Sequence, residues 1–290
     1  MSDTYSYRME KPVDYVPHRV VSLVPSLTET LFDLALGDRL VGRTDYCVYP
    51  ADQVGRVPKL GGTKNPDIDR IVALQPDLVL MNREENRIED AEKLKAAGLA
   101  VWATQPNTIR EALDLLWTIM DVFEHPVMVQ RVRSIEINYE WTLGVAADTG
   151  RKKVFVPIWR DPWMTANRET FLHDMLFTCG GENVFADRDR RYPLSADLGQ
   201  SEPQDSAGRD TRYPRVTLDE IVAAQPEIVL LPSEPYAFTE SDKEIFAKLD
   251  IPAAQTGDIH LVDGSLLTWH GTRIASALRD LPSIFNLVPR

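Results

Sequence analysis

Five histidines, at positions 18, 125, 173, 260 and 270, could in principle hold a metal or move a proton. Their spacing argues against a local metal site, because no two lie two to five residues apart, the interval at which one turn or helix presents ligands to one ion. Cys47 and Cys179 are the only cysteines. Two thiols, one in each half, make neither a metal cluster nor a disulfide framework, and both are expected to be reduced and buried. The chain has no G-x-x-x-x-G-K-[ST] phosphate loop, no G-x-G-x-x-G, no G-x-S-x-G elbow and no H-E-x-x-H. Gly61-Gly62-Thr63-Lys64 lacks the spacing of the first of these. No catalytic residue and no built-in cofactor or metal is therefore nominated, and an enzyme is not the expected reading.

Aromatic rings in loops are the residues that could do something. Trp159 and Trp163 follow one expected strand, Tyr46 a second, Tyr236 and Phe238 a third, Trp269 a fourth, and Tyr213 belongs with them. In α/β sheets the loops beyond the carboxyl ends of the strands form the ligand crevice. Ring faces there offer a broad, flat contact suited to a planar or macrocyclic ligand. Arg160 and Arg273 could meet carboxylate or amide groups at the edge of such a ligand, since guanidinium presents a fork of donors. His270 and Arg273 either line the ligand face or cap the closing helix. The expected ligand is a bulky, partly planar metal chelate held by rings rather than a bare ion. On this reading Trp163→Ala weakens ligand binding and leaves fold stability nearly unchanged.

These loops need strands and helices to hold them. Arg19–Val24, Leu40–Thr44, Asp77–Met81 and Leu99–Ala103 are expected strands, and so are Lys153–Val156, Ile228–Leu231 and Ile259–Val262. Helices are expected from Ser26, with a Ser26–Glu29 capping box and a stop at Gly37, and over 67–74, 88–97, 169–178, 242–249 and 271–281. Thr217–Glu220 is a further capping box. Strands alternating with helices imply parallel sheets covered on both faces.

The stretch D69-R-I-V-A-L-Q-P-D-L-V-L80 recurs as D219-E-I-V-A-A-Q-P-E-I-V-L230, with eight of twelve positions identical at an offset of 150. That interval is too long for a solenoid repeat and points to two similar lobes. Between them Thr108–Asp148 holds one proline and one glycine. It reads as two helices, the second beginning at Pro126 and running about 22 residues, roughly 33 Å. Such a strut should link the lobes stiffly. The polar stretch 195–212 reads as a long inserted surface loop, flanked by the near-copies Arg191-Tyr-Pro193 and Arg212-Tyr-Pro214. The expected organisation is an N-terminal extension over 1–18, an N-terminal α/β lobe over 19–106, connecting helices over 107–149 and a C-terminal α/β lobe over 150–290.

The 290 residues carry a net charge of −12 with no dense basic patch, which argues against a nucleic-acid surface. No window of 18 apolar residues suggests a membrane span. Met1–Pro12 has neither an apolar core nor a small-residue cleavage site. The chain as written therefore reads as cytoplasmic, or as periplasmic or cell-surface if a leader has been removed.

The combination of R19-V-V-S-L-V-P-S-L-T-E29, D45-Y-C-V-Y-P50, D69-R-I-V-A-L-Q-P-D-L-V-L80, C179-G-G-E-N-V-F185 and R212-Y-P-R-V-T-L-D-E220 resembles the class III substrate-binding proteins of ABC importers. The cobalamin-binding and ferric-siderophore-binding branches are the most similar. The resemblance implies two Rossmann-like α/β lobes joined by one long helix, with the ligand in a cleft between them. The implied ligand is a corrinoid, a haem-like tetrapyrrole or a ferric siderophore, delivered by a monomer to an ABC permease. It places Pro25 and Ser26 on the first ligand-side turn. Tyr46, Tyr213 and Trp163 fall where cobalamin binders carry ligand-facing aromatics, while Thr63 replaces a tryptophan. It assigns Asp69 and Asp219, one per lobe and on one side of the molecule, to docking on permease arginines. Cys179 matches a cysteine that is disulfide-bonded in the family, but no partner stands at the matching place here. A second reading keeps the fold but makes the protein a cytoplasmic carrier or enzyme of tetrapyrrole metabolism.

Overall fold

A computed structural model describes residues 11–287. Residues 1–10, most of the expected extension, lie outside the described part. The chain divides into two compact units. The first runs up to Ile137 and takes back Trp269–Ala275; the second comprises Asn138–Thr268 and the chain from Ser276 onward.

The first unit holds strands β1 (Val20–Ser22), β2 (Leu40–Arg43), β3 (Leu78–Asn82) and β4 (Val101–Thr104), all parallel in the order β2-β1-β3-β4. Its helices are α1 (Pro25–Asp33), α2 (Ile68–Ala73), α3 (Ile88–Ala96) and α4 (Ile109–Val122). Val21, Leu23, Val79 and Met81 pack on one face of the sheet with Leu60, Ile71 and Leu94. Val20, Leu78 and Leu80, pointing the other way, are equally buried. Burial on both faces is why these strands read as apolar runs without alternation. Helix α5 (Val129–Thr149) follows a short 3-10 turn at Pro126–Met128 and spans 21 residues, about 32 Å.

The second unit repeats the plan with β5 (Lys152–Phe155), β6 (Gly181–Asn183), β7 (Ile228–Pro232) and β8 (Ile259–Val262) in the parallel order β6-β5-β7-β8. Its helices are α6 (Phe171–Thr178), α7 (Leu194–Asp197), α8 (Leu218–Ala224), α9 (Glu240–Phe246), α10 (Pro252–Thr256) and α11 (Ser265–Thr268); α12 (Ile274–Asp280) begins in the first unit and continues into the second. The two copies of the repeat are α2 with β3 and α8 with β7, the third strand of each sheet. Both helices end the same way: Gln75 and Gln225 adopt positive φ (48° and 49°) immediately before a proline. The residue preceding proline is disfavoured in the right-handed helical region, so the helix must stop there. The Gln225 side chain then donates to the Val222 and Asp250 carbonyls, both at 2.8 Å.

Four sequence expectations need correction. The Ser26–Glu29 capping box does not form: Val24 is the N-cap, Pro25 takes the first helical position, and Glu29 goes to Arg273 instead. Helix α1 ends before Ala35, whose φ is 58°, rather than at Gly37. Gly37 is needed for space, since a Cβ there would lie 2.3 Å from the Phe32 ring. The 195–212 stretch is not a plain surface loop, because α7 begins it and Asp197 is completely buried. Finally, Trp269–Ala275, grouped by sequence with the C-terminal lobe, belongs to the first unit. Gly271 permits this with φ 84° and a backbone so close to α1 that a Cβ would sit 2.1 Å from Thr30 Oγ1. The Thr272 amide donates to that same hydroxyl at 3.1 Å.

Candidate functional site

In the first unit the loop after β2 carries Tyr46. Its scaffold is Arg43, a buried guanidinium that donates to four carbonyls, those of Thr44, Cys47, Val54 and Val57, at 2.9–3.1 Å. Four carbonyl partners satisfy the fork without a carboxylate and pin the loop at both ends. Cys47 beneath it meets Thr28 at 3.0 Å and Thr44 at 3.1 Å, and burial pushes its thiol pKa up. Tyr46 is left 63% exposed. Gly62 lies under the ring: a Cβ there would come within 3.4 Å of Tyr46 and 2.3 Å of Asn65 Oδ1.

A second cluster in this unit joins residues far apart in sequence. Arg273 forms an ion pair with Glu29, at 2.6 and 2.9 Å, and its guanidinium lies over the Tyr49 and Trp269 rings at 4.7 and 5.4 Å. Tyr49 and Trp269 meet edge to face at 6.0 Å. His270 is buried, with Nε2 facing Asn82 Nδ2 at 3.2 Å, and burial lowers its pKa to about 4. Its imidazole is thus neutral over the physiological range and accepts from Asn82. Pro25 and Ser26 are buried at the start of α1, and Ser26 Oγ has no hydrogen-bond partner among the described residues.

In the second unit the loop after β5 folds back on itself, with Trp159 paired to Met164 and Met164 to Arg215. Trp159 is 45% exposed and meets Tyr236 edge to face at 5.6 Å. Trp163 turns inward instead. It stacks on Phe238 (6.1 Å, 9°) and meets Phe246 edge to face at 5.0 Å, against the core built on Phe155, Val216 and Val229. Arg160 pairs with Asp242 at 2.5 Å. Burial alone would raise the Asp242 pKa, but bonds from Thr239 and Arg160 hold it below the usual carboxylate range. Tyr213 lies on a segment that pairs with residues 163–167 and is partly exposed.

The sequence-nominated residues therefore fall into several groups. Tyr46 and Trp159 are exposed, while Tyr213 and Tyr236 are half-buried and Tyr236 packs against the core of its unit. Phe238 and much of Trp163 are committed to the core. Arg160 and Arg273, expected to meet a ligand's acids, are each neutralised by a carboxylate of their own unit. Tyr49 joins the set through Trp269, a link signalled only by its place three residues after Tyr46. Asp69 and Asp219 are both exposed at the second position of their helices, and neither makes an ion pair among the described residues. Among the described residues no three His, Cys, Asp or Glu side chains converge as a metal site, and no helix is long and apolar enough to cross a membrane.

The packing of Trp163 revises the expectation that its loss is neutral for the fold. Trp163→Ala should lower unfolding stability by about 2–3 kcal/mol, the cost of a partly buried indole and its ring contacts. Urea unfolding of variant and wild type measures this. Equal stabilities would return the ring to the surface.

Comparison with known proteins gives a consistent picture. A family model described as "Periplasmic binding protein" matches residues 20–245. The vitamin B12-binding protein of Salmonella typhimurium is 28% identical over 218 residues, 75% of this chain and 73% of that protein. The vitamin B12-binding protein of Vibrio parahaemolyticus is 24% identical over 274 residues, 94% of this chain and 90% of that protein. Among solved structures, the periplasmic vitamin B12-binding protein of Vibrio cholerae superposes with a TM-score of 0.73 at 18% identity, covering 94% of this chain and 98% of that one. A periplasmic heme-binding protein from Roseiflexus does so with a TM-score of 0.70 at 22% identity, covering 92% and 97%.

Proposed function

The chain belongs to the periplasmic binding protein family, and from that membership we propose that it binds a metal chelate, a corrinoid, a haem-like tetrapyrrole or a ferric siderophore, for delivery to an ABC importer. The observation that carries this reading is the exposed ring surface at the strand ends of both lobes: Tyr46 in one, Trp159 in the other. The Arg43 knot fixes the backbone of the Tyr46 loop and Tyr236 meets the Trp159 ring edge to face, which lowers the ordering cost when a ligand covers them. Preorganised rings of this kind suit a chelate whose own face is flat and apolar and whose metal is already fully coordinated.

Delivery requires something for a permease to hold. Asp69 and Asp219 have the required attributes, being exposed, uncommitted and equivalent in the two copies of the repeat. The periplasm is the proposed compartment, by the description of the matching family and the naming of the Vibrio cholerae and Roseiflexus structures. The reading as a carrier or enzyme of tetrapyrrole metabolism has none of the named relatives on its side.

Titration of the protein's tryptophan fluorescence with cobalamin, cobinamide, haem and a ferric siderophore tests the proposal, and at least one should bind at micromolar concentration or below. Tyr46→Ala should weaken that binding about tenfold while leaving the melting temperature in place, because its ring contributes little to the core. Binding of a free divalent ion, with no chelate bound, would sink the proposal.

A further inference from the structure

Asn82 closes β3, Asn86 stands four residues on, and both side chains are buried. Asn82 has every polar atom engaged. Its amide donates to Asn86 Oδ1 at 2.8 Å, and the Asn86 amide donates back to the Asn82 carbonyl at 2.8 Å. Asn82 Oδ1 accepts from the Glu84 amide at 2.8 Å. That bond decides which way the carboxamide points, so its nitrogen faces His270 Nε2, at 3.2 Å. The carboxamide nitrogen can only donate, and Nε2 must therefore accept. Burial keeps the ring neutral, which makes this possible. Asn86 Nδ2 donates outward, to the Leu23 carbonyl at 3.1 Å and the Thr63 carbonyl at 3.0 Å.

Thr63 lies on a short excursion of the chain that Gly61 and Pro66 close at its base. Next to it, Lys64 Nζ donates to the Glu84 carbonyl at 2.7 Å. The excursion is thus held at Thr63 by Asn86 and at Lys64 by Glu84, and Asn82 bonds to both of those anchors. The excursion in turn holds Tyr46. The Asp45 amide donates to the Gly61 carbonyl at 2.8 Å, and Gly62 lies under the Tyr46 ring. An unbroken series of contacts therefore runs from a buried imidazole to an exposed ring, all of it inside the first unit. Without an acceptor at 270 the Asn82 nitrogen would be buried and unsatisfied. Turning the carboxamide over to relieve that would take Oδ1 away from the Glu84 amide. A buried network of this kind is rigid only while every member is satisfied.

We propose that His270 is a positioning residue for ligand binding: too buried to touch a ligand itself, it fixes the 61–66 excursion, and with it the Tyr46 ring, through Asn82 and Asn86. The inference rests on the proposed function, which makes Tyr46 a ligand-facing ring, and adds a determinant of affinity that lies behind that surface. It gives His270 a role distinct from lining the ligand face and from capping the last helix. A ring already held in place costs less to order when a ligand covers it.

Amide hydrogen exchange of the unliganded protein reads the series of contacts, and titration with chelates reads its consequence. His270→Leu removes the acceptor at similar bulk. In that variant the Asp45 and Glu84 amides should exchange at least about tenfold faster, beyond any change at the Val79 and Ala112 amides of β3 and α4, because only the local opening becomes easier. His270→Gln gives Asn82 an acceptor again and should restore slow exchange. Affinity for the tightest binder among cobalamin, cobinamide and haem should fall about tenfold in His270→Leu and recover in His270→Gln. In a Tyr46→Ala background the same His270→Leu change should cost less than about twofold, since the ring it positions is gone. Acceleration at Asp45 and Glu84 no greater than at Val79 and Ala112 overturns the proposal, for His270 then only stabilises the lobe. Local loosening with unchanged affinity overturns it too, as does an equal loss of affinity with and without the Tyr46 ring, and in these cases the proposed function stands. Absence of binding by every chelate, in wild type as in the variants, overturns the proposed function and the ligand role of His270 with it.

Discussion

Replacing Asp197 with Ala should lower the unfolding free energy by about 3–4 kcal/mol, a large fraction of the stability of an ordinary domain. The side chain is fully buried and satisfies three donors at once. Its removal leaves Arg188, itself only 11% exposed, with Glu220 as its remaining carboxylate partner, and it orphans two backbone N–H groups. Breaking one side of a buried ion pair costs far more than the pair contributes, because the survivor stays desolvated. The companion change Arg188→Met with Asp197→Leu should recover part of the loss, since no fully buried charge is left alone; Glu220 loses Arg188 but is 35% exposed and keeps the Thr217 amide. Urea unfolding followed by fluorescence measures both. A surface loop would give less than about 0.5 kcal/mol, and that result for Asp197→Ala would refute the buried hub.

Acidification should cost the protein about 3 kcal/mol between pH 6.5 and pH 4 through His270 alone. Burial lowers its folded-state pKa to about 4, against about 6.5 in the unfolded chain. Above pH 6.5 the ring is neutral in both states and its contribution is complete. Between the two values the unfolded chain takes up a proton that the folded one refuses, so stability falls, and below pH 4 the loss levels off. Asp242, whose folded pKa lies under the ordinary carboxylate value of about 3.9, acts at lower pH, whereas burial also lowers the His173 pKa, so the difference between wild type and the His270 variant isolates His270. His270→Gln keeps an acceptor for Asn82 but cannot titrate. Unfolding free energies of wild type and variant from pH 7.5 to pH 4.5 should converge or cross, the wild type losing more. Parallel curves would show that the imidazole is solvated.

Much of this could be read in the chain. The twelve-residue repeat marks the third strand of each sheet, and the Gln-Pro break ends both helices in the same left-handed turn. Thr217 and Glu220 form the capping box their spacing predicts, with reciprocal bonds of 3.2 and 2.8 Å. These features are legible because they depend on neighbours within four residues. The Ser26–Glu29 box fails for a local reason as well: Pro25 fills the first helical position, leaving Ser26 at the second, two places too late to cap. Strand β6 escaped notice because Gly180 and Gly181 read as a helix stop, which hid the three-residue strand they open into. The burial of Asp197 has no sequence signal, because polarity does not distinguish an exposed carboxylate from one surrounded by donors. Rings after strands also look alike in sequence whether they face solvent, as Trp159 does, or the core, as Trp163 does. Arg273 with Glu29 had no signal, since the partners stand 244 residues apart.

That last pair bears on the order in which the protein can be made. The N-terminal lobe is first off the ribosome, yet Trp269–Ala275 is part of it. Translation at about 5–20 residues per second puts roughly 12–50 s between the appearance of Glu29 and that of Arg273. Throughout that interval α1 lacks the Gly271 turn that rests on Thr30, and Glu29 lacks its cation. The lobe that begins first is therefore completed only after Asn138–Thr268 of the second unit has been synthesised, so its assembly cannot finish before most of its neighbour has been made.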